Sequence, residues 1–337
     1  ASQIKGPTIQ EYDQEGVVAP YNIDEVAKAE GWDNLLDPMI AAIHKCENNS
    51  GPYCAAPVNI HRIDWMWANK AVFDANGISV PTTWDELNAA AEKLQAAGII
   101  PFAHGGQAWQ DATVFEAVAM GIGGNNYYKN CYVDLKESCL RSETTVKVFD
   151  QMRKLQGFTD EGSPGRDWNV ATGMVIEGKA GFQIMGDWAK GEFTAAGKVP
   201  GVDYYCAATP SNNGYLYNVD SFIFYKSSDP DKQAGQKLLA KLMMGKNFQK
   251  VFNLYKGSIP ARLDVSMDEF DKCAKTSNAD IKTAGASGGL VPSFAHGMAQ
   301  GNTMKAALQD IITEHFNSDM SSVDAANALA DSVLANM

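Results

Sequence analysis

The sequence lacks the features that would place it in a membrane or on a nucleic acid. It contains no run of about 18 apolar residues, the length that a membrane-spanning helix needs. Its 28 basic residues form no cluster, and the 40 acidic residues give a formal net charge of −12. A chain this acidic repels phosphate backbones. The composition therefore predicts a protein that neither spans a membrane nor binds nucleic acid.

The motifs of nucleotide-binding sites are missing as well. No Gly-x-Gly-x-x-Gly follows a strand-like segment, and no Gly-x-x-x-x-Gly-Lys-Ser/Thr occurs, so nucleotide binding has no support. The glycine-rich run 121–124 follows a helix-like pattern, and we interpret it as a plain turn. Asp229 lies in a stretch without the later acidic positions of a calcium loop, so we interpret it as a helix cap.

Six cysteines are present, none of them in Cys-x-x-Cys spacing, and no histidine is placed to complete a zinc cluster with them, so a zinc site is not indicated. Two pairs flank short polar loops, where the β-carbons can come within bridging distance. The even number leaves a third pair. The predicted disulfides are Cys46–Cys54, Cys131–Cys139 and Cys206–Cys273. The alternative is six free thiols in a cytosolic protein, but loop-flanking pairs are uncommon in reducing compartments and favour the periplasm.

The length and the order of elements predict an α/β protein of two lobes. A chain of 337 residues is too long for one compact core, and its 45% hydrophobic content is enough to fill more than one. Strand-like and helix-like segments alternate along most of the sequence. No Pro/Ser-rich linker divides the chain, so we expect it to cross between the lobes more than once.

Several elements can be predicted individually. Thr83 and Glu86 have the spacing of a capping box, and the helix that they open should end at Gly98. Residues 60–67 alternate as a strand does, with Ile63, Trp65 and Trp67 on one face. We predict further strands and helices from the same periodicities: strands at 181–187 and 222–225, and helices at 231–244, at 303–316 and from residue 323 onward.

Aromatic and polar side chains recur at the ends of the strand-like segments. A sugar has an apolar C–H face, which a tryptophan ring can cover, and a rim of hydroxyls, which Asp, Lys and His can hydrogen-bond. This mixture suits a neutral polyol better than an ion. Each residue taken singly also has a plainer interpretation, since most tryptophans belong to a core and most single His or Lys side chains are solvated. The candidates are His61, Trp109, Asp111, Trp168, Trp188, Asp220, Lys256 and His296.

Several phrases resemble the extracellular solute-binding proteins of sugar ABC importers, and the resemblance covers nearly the whole chain. The general family phrases are Pro81-Thr82-Thr83-Trp84-Asp85-Glu86-Leu87 after Gly77, Asn69-Lys70 with Phe73, 178–182, 185–188 and Ile259-Pro260-Ala261-Arg262. The phrases similar to the glucose-binding branch of Gram-negative bacteria are 3–7 with 9–11, 58–62, 255–258 and 270–274.

The resemblance implies a two-lobed periplasmic binding protein fold of type II, like that of maltose-binding protein, with a hinge and a ligand cleft between the lobes. It places residues 1–62 and 215–262 in a first lobe and residues 63–214 and 263–337 in a second. Family members have a strand, a helix and a second strand, about 60 residues at ~30 per βα unit, before the phrase found here at residue 3. The resemblance thus implies that the first lobe lacks an N-terminal segment, which in the glucose branch carries a tryptophan pair of the sugar platform. The alternative is that residues 2–6 form a true edge strand of a smaller, rearranged lobe.

The resemblance further implies non-catalytic binding of a monosaccharide, with glucose favoured, and its delivery to inner-membrane permease subunits. The protein would be a periplasmic monomer without a cofactor or metal. The resemblance places the family's sugar contacts on the eight candidates listed above and also on Lys5, with Trp109 and His61 as either contacts or supporting neighbours. Glucose, galactose and mannose stay open as ligands, since they differ in the orientation of one hydroxyl.

Two other classes are kept as alternatives. A glycoside hydrolase would also combine tryptophans with carboxylates, and Asp111 and Asp220 would then act as acid and base. The whole-chain resemblance to transport proteins argues against it. A periplasmic receptor for a metal or a peptide is the other alternative, and the five widely separated histidines argue against a metal.

Overall fold

The computed structural model describes residues 1–18, 20–211 and 214–337, with the backbone alone at 20–22. The strands are β1 (Ser2–Ile4), β2 (Ala55–Pro57), β3 (His61–Arg62), β4 (Trp65–Asn69), β5 (Ile100–Phe102), β6 (Ala180–Ile184), β7 (Tyr204–Ala208), β8 (Tyr215–Asn218), β9 (Ser221–Ile223) and β10 (Leu290–Pro292).

The helices are α1 (Thr8–Gln14), α2 (Pro20–Glu30), α3 (Pro38–Ile43), α4 (Cys46–Asn49), α5 (Lys70–Ala75), α6 (Trp84–Ala96), α7 (Ala108–Tyr128), α8 (Glu137–Leu140), α9 (Glu143–Gln156), α10 (Trp168–Ile176), α11 (Ala189–Ala195), α12 (Pro230–Met243), α13 (Lys246–Lys256), α14 (Lys272–Ser287), α15 (Asn302–Asn317) and α16 (Ser322–Ala335), with a 3-10 turn at Trp32–Asn34 and a π-helical turn at Lys129–Val133. Within the described ranges no helix is both long and apolar enough to cross a bilayer.

Two sets of hydrophobic clusters divide the chain into two lobes. The first lobe is built on the antiparallel sheet β1-β9-β2 and on β10-β8-β3, in which β10 is parallel to β8 and β3 antiparallel to it. Its core includes Trp32, Val58 and Phe224. The second lobe is built on the sheet β5-β6-β4-β7. Strand β8 lies between the lobes, since Tyr217 packs in the first core and Leu216 in the second.

The second-lobe sheet is buried on both faces, and the alternation of β4 determines which side chain lies on which face. Trp65 and Trp67 pack under α10 and α11, whereas Met66 packs under the helices on the other face. The prediction that Ile63 shares the face of the tryptophans is wrong. The strand is interrupted between Arg62 and Trp65, and Ile63 packs in the cluster of Met66.

The chain crosses between the lobes between β3 and β4, between β7 and β8, and after β10, as the absence of a linker predicts. Helix α14 also connects them. Its buried Ala274 and Ala284 belong to the first-lobe core, whereas Cys273 at its start packs in a second-lobe cluster. A lobe boundary at residue 262 remains a prediction, but the hydrophobic contacts of α14 favour a later one.

Most of the predicted local features are present. Thr83 and Glu86 form the capping box of α6, and Asp229 caps α12. The three predicted disulfides are all formed, and no cysteine is free. The plain turn at 121–124 is wrong: α7 continues through this run, and its backbone is interrupted only at Gly124. A Cβ at position 121 would lie 2.0 Å from the Pro210 carbonyl oxygen, so close packing explains that glycine.

Candidate functional site

A cavity of about 380 Å³ lies where residues of both lobes meet. The lining residues come from β1 and the turn after it, from the starts of α1 and α7, from the segment after β10 and from one face of α15. They are Gln3, Ile4, Lys5, Thr8, Trp109, Ala295, His296, Gly297, Asn302, Lys305 and Gln309. The lining therefore combines an indole with amide, imidazole and ammonium groups.

Lys5 reaches this cavity because β1 pairs with β9 and the chain then turns sharply. Gly6 has a φ of +48°, and a Cβ at this position would lie 2.6 Å from the carbonyl oxygen of Gly297. Only a glycine permits both the turn and this close approach. The turn therefore brings Lys5 beside the segment that carries His296, although the two residues are nearly 300 positions apart in sequence.

Asp220 lies behind Lys5, and both of its carboxylate oxygens are hydrogen-bonded. Oδ1 accepts from Gln3 Nε2 at 2.7 Å and pairs with Lys5 Nζ at 3.1 Å. Oδ2 accepts from Asn59 Nδ2 at 3.0 Å and from His61 Nε2 at 2.9 Å. Burial alone would raise the pKa of Asp220, but the charges and hydrogen bonds of His61 and Lys5 hold it well below its ordinary value. Asp220 is thus an anion that orients the groups at the base of the cavity.

His61 joins the two lobes between two carboxylates. Its Nδ1 donates to Asp187, which follows the second-lobe strand β6, and its Nε2 donates to Asp220, which follows β8. The Arg62 N–H donates to the other oxygen of Asp187 at 3.0 Å. Burial would lower the pKa of His61, but the two carboxylates outweigh it and raise the pKa. Since His61 is buried and both ring nitrogens are occupied, its geometry is that of a supporting neighbour.

The second-lobe side of the site is an aromatic cluster of Trp109, Trp188 and His296, and the ring of His61 in β3 packs against it. The centroid of the Trp188 ring lies 4.9 Å from the ring centroid of His296, 5.3 Å from that of His61 and 6.3 Å from that of Trp109. A Cβ on Gly186 would lie 2.2 Å from the Trp188 ring, so this glycine lets the indole fold back over the end of β6. Trp109 and His296 line the cavity, and Trp188 packs directly against both.

His296 is held as a neutral imidazole. Its Nε2 lies 2.9 Å from the Thr113 hydroxyl, and its backbone N–H donates to Ser293 Oγ at 3.1 Å. Burial and the positive charges of Lys5 and His61 keep its pKa well below the ordinary value. A neutral imidazole with one nitrogen engaged can offer the other to a ligand hydroxyl.

Three of the predicted residues lie elsewhere. Asp111 is fully buried, and its oxygens bond His104 Nε2 at 2.6 Å and the Thr313 hydroxyl at 2.9 Å. Trp168 packs at the start of α10 on the cluster beneath Trp188. Lys256 ends α13, whose last residues lie against α11. None of the three lines the 380 Å³ cavity, so a direct ligand contact for them stays a prediction.

The sequence analysis did not select the polar side chains of α15 that line the cavity. Asn302, Lys305 and Gln309 are three and four residues apart, so they share one helix face. That helical spacing is visible in the sequence and could have identified these three residues as one polar face. Asn218, adjacent in space to Asp220, was also missed; its buried amide oxygen has no hydrogen-bond partner. Asn218 does not line the 380 Å³ cavity.

The geometry bears on the two alternative classes. A glycoside hydrolase needs two carboxyl groups at its ligand, whereas both oxygens of Asp111 and of Asp220 are bonded within the protein. The cavity lining itself includes no Asp or Glu. Among the described residues, no group of three or more His, Cys, Asp or Glu side chains is placed to hold a metal ion.

Comparison with known proteins agrees with this architecture. Residues 2–243 match the family described as bacterial extracellular solute-binding protein. A probable sugar-binding periplasmic protein of Brucella suis biovar 1 is 44% identical over 99% of this chain and 78% of its own length. One of Rhizobium meliloti is 43% identical over 99% of this chain and 79% of its own length.

Solved structures show the same fold at low sequence identity. The bacterial solute receptor AcbH superposes with a TM-score of 0.81 at 19% identity, over 99% of this chain and 84% of the receptor. Maltose-bound MalE3 of T. maritima superposes with a TM-score of 0.76 at 17% identity, over 99% of this chain and 83% of that protein. The two-lobed, maltose-binding-protein-like α/β fold is therefore confirmed, and the chain belongs to the bacterial extracellular solute-binding protein family.

Proposed function

We propose that this protein binds a monosaccharide, with glucose favoured, in the cavity between its lobes and releases it unchanged to the permease subunits of an ABC importer. It would act as a monomer in the periplasm. One observation carries the proposal: the cavity places the Trp109 indole beside hydroxyl-binding groups of both lobes, Lys5 from the first and His296 from the segment that enters the second. A pyranose presents an apolar C–H face, which an indole can cover, and a rim of hydroxyls, which polar side chains can hydrogen-bond.

The volume and the relatives support a small sugar. The cavity of about 380 Å³ lies near the lower end of the ~300–1,000 Å³ that small-molecule sites occupy. The relatives of 43–44% identity are named as probable sugar-binding proteins, and AcbH is described as preferring β-D-galactopyranose.

The residues divide into contacts and supports in this proposal. Lys5, His296 and the α15 face would hydrogen-bond hydroxyls, while Trp109 and Trp188 would provide the apolar surface. Asp220 and His61 would orient Lys5 and couple the lobes, since each is bonded across the base of the cavity. Asp111 would act through His104 and the second-lobe core.

A thermal-shift screen of glucose, galactose, mannose and xylose, followed by calorimetric titration of the hits, tests the proposal. A ligand that binds only the native state raises the melting temperature in proportion to ln(1 + [L]/Kd). Binding of at least one hexose, with no release of chromophore from aryl glycosides, is the expected result. Turnover of an aryl glycoside would instead favour the hydrolase, and stabilisation by Zn²⁺ without any sugar response would favour a metal receptor.

A further inference from the structure

A buried carboxyl group in the second lobe holds the segment that carries His296. Glu116 lies in α7 and is fully buried. Its Oε1 lies 2.6 Å from Ser293 Oγ, and its Oε2 accepts from the Tyr128 hydroxyl at 2.9 Å and from the Ala295 N–H at 3.3 Å. Two of these partners, Ser293 and Ala295, belong to the short stretch between β10 and α15. The third, Tyr128, lies in α7 and bonds to the same stretch.

The same stretch is tied again through the partners of Glu116. The Phe294 N–H donates to the Tyr128 hydroxyl at 3.1 Å, and the His296 N–H donates to Ser293 Oγ at 3.1 Å. The backbone from residue 293 to 296 is therefore fixed to α7 at consecutive positions. These bonds have no counterpart in regular secondary structure, since the segment lies outside strand and helix.

We propose that Glu116 is a positioning residue for ligand binding, which holds the 293–296 segment so that the His296 imidazole faces the cavity. It does not touch the ligand, since it lines no part of the cavity. The inference rests on the proposed function for the role of His296 in binding, but the anchoring itself is a property of the unliganded protein.

The protonation state of Glu116 determines which substitution can preserve its hydrogen bonds. Burial raises its pKa to about 8, because the hydrogen bonds from Ser293 and Tyr128 offset only part of the desolvation. Near pH 7 the group is thus mainly a neutral carboxylic acid. A glutamine has the same shape: its oxygen can accept from Tyr128 and Ala295, and its amide can donate to Ser293. Glu116→Gln should therefore preserve the network, and Glu116→Ala should abolish it.

Two measurements test the proposal, hexose affinity by calorimetry and amide hydrogen exchange at residues 294–296 in the unliganded protein. We expect Glu116→Ala to weaken binding at least about tenfold, the equivalent of losing one or two net hydrogen bonds at the ligand, and to speed exchange at 294–296. Glu116→Gln should stay within about twofold of the wild type in both measurements. Ser293→Ala removes fewer of these hydrogen bonds, so its affinity and exchange rates should lie between those of Glu116→Ala and Glu116→Gln.

Asn88→Ala is the matched control, because Asn88 is buried in the same lobe and exchanges two side-chain hydrogen bonds with Gln151. It should destabilise the fold without weakening the affinity. An equal affinity loss in Glu116→Ala and Asn88→Ala at equal loss of stability would overturn the proposal, as would unchanged exchange in Glu116→Ala. Failure of the wild type to bind any hexose would instead refute the proposed function and leave the exchange result to decide the anchoring.

Discussion

The disulfide between Cys206 and Cys273 should stabilise the protein more than either of the other two. Cys206 lies in β7 of the second lobe, and Cys273 lies at the start of α14, whose later residues pack in the first-lobe core. The salt bridge from Lys190 to Asp271 at 3.0 Å reinforces the same junction. The bond therefore fixes the start of α14 to β7 at a second-lobe cluster, while later residues of α14 pack in the first-lobe core.

The expected magnitude follows from the length of chain that each bond closes. Cys206 and Cys273 are 67 residues apart, whereas the partners in each of the other pairs are 8 apart. The chain-entropy relation then gives about 4.4 kcal/mol for the long loop and about 2.5 kcal/mol for each short one. The free energy of unfolding should thus fall by about 2 kcal/mol more when the long bond is removed.

The assay is urea unfolding of two double variants, Cys206→Ala with Cys273→Ala and Cys131→Ala with Cys139→Ala, beside the wild type. Each variant loses one buried and one half-buried cysteine sulfur, so the difference between them reports the loop length. Thiol labelling of the denatured, unreduced wild type should first find no free cysteine. Equal losses of stability in the two variants, or a larger loss for the short loop, would refute the reasoning.

Three further outcomes are expected. Trp188→Ala should weaken hexose binding by ~1–3 kcal/mol in a calorimetric titration, because the surface that supports Trp109 and His296 is lost. His44→Gln should flatten the pH dependence of unfolding below neutral pH. Burial lowers the pKa of His44 from 6.5 to about 4, so its contribution to stability is present above pH 6.5 and is lost as the pH falls towards 4, by about 2 kcal/mol at pH 5. Thr83→Ala should lower the free energy of unfolding by about 1 kcal/mol, since the capping box of α6 is broken.

Each of these three predictions has its own control or contradicting outcome. Phe248→Ala removes a half-buried aromatic that lines no part of the cavity, and equal loss of affinity in that variant would contradict the role of Trp188. For His44, a difference between variant and wild type that is constant from pH 7 to 5 would contradict the assigned titration. Glu92, exposed on the same helix as Thr83, should tolerate alanine within about 0.5 kcal/mol.

Several features of this protein were readable from the sequence because they depend on neighbours along the chain. The capping box of α6, the cap of α12 and the helices at 302–317 and 322–335 need only local spacing and periodicity. The disulfides Cys46–Cys54 and Cys131–Cys139 close short loops, so local spacing indicated them as well. The order of the family phrases indicated the two-lobed fold, which the family match and the solved structures confirm.

The tertiary structure alone decided which predicted residues face the cavity. Lys5 and His296 meet there because β1 pairs with β9 and Gly6 packs against Gly297, contacts between the two ends of the chain that no local pattern encodes. Asp111 lies only two positions beyond Trp109, yet the turn of the helix directs its carboxylate into the second-lobe core towards Thr313. Residue type can nominate a sugar contact, but the direction of a side chain follows from the packing of its helix or strand, and that packing depends on distant parts of the sequence.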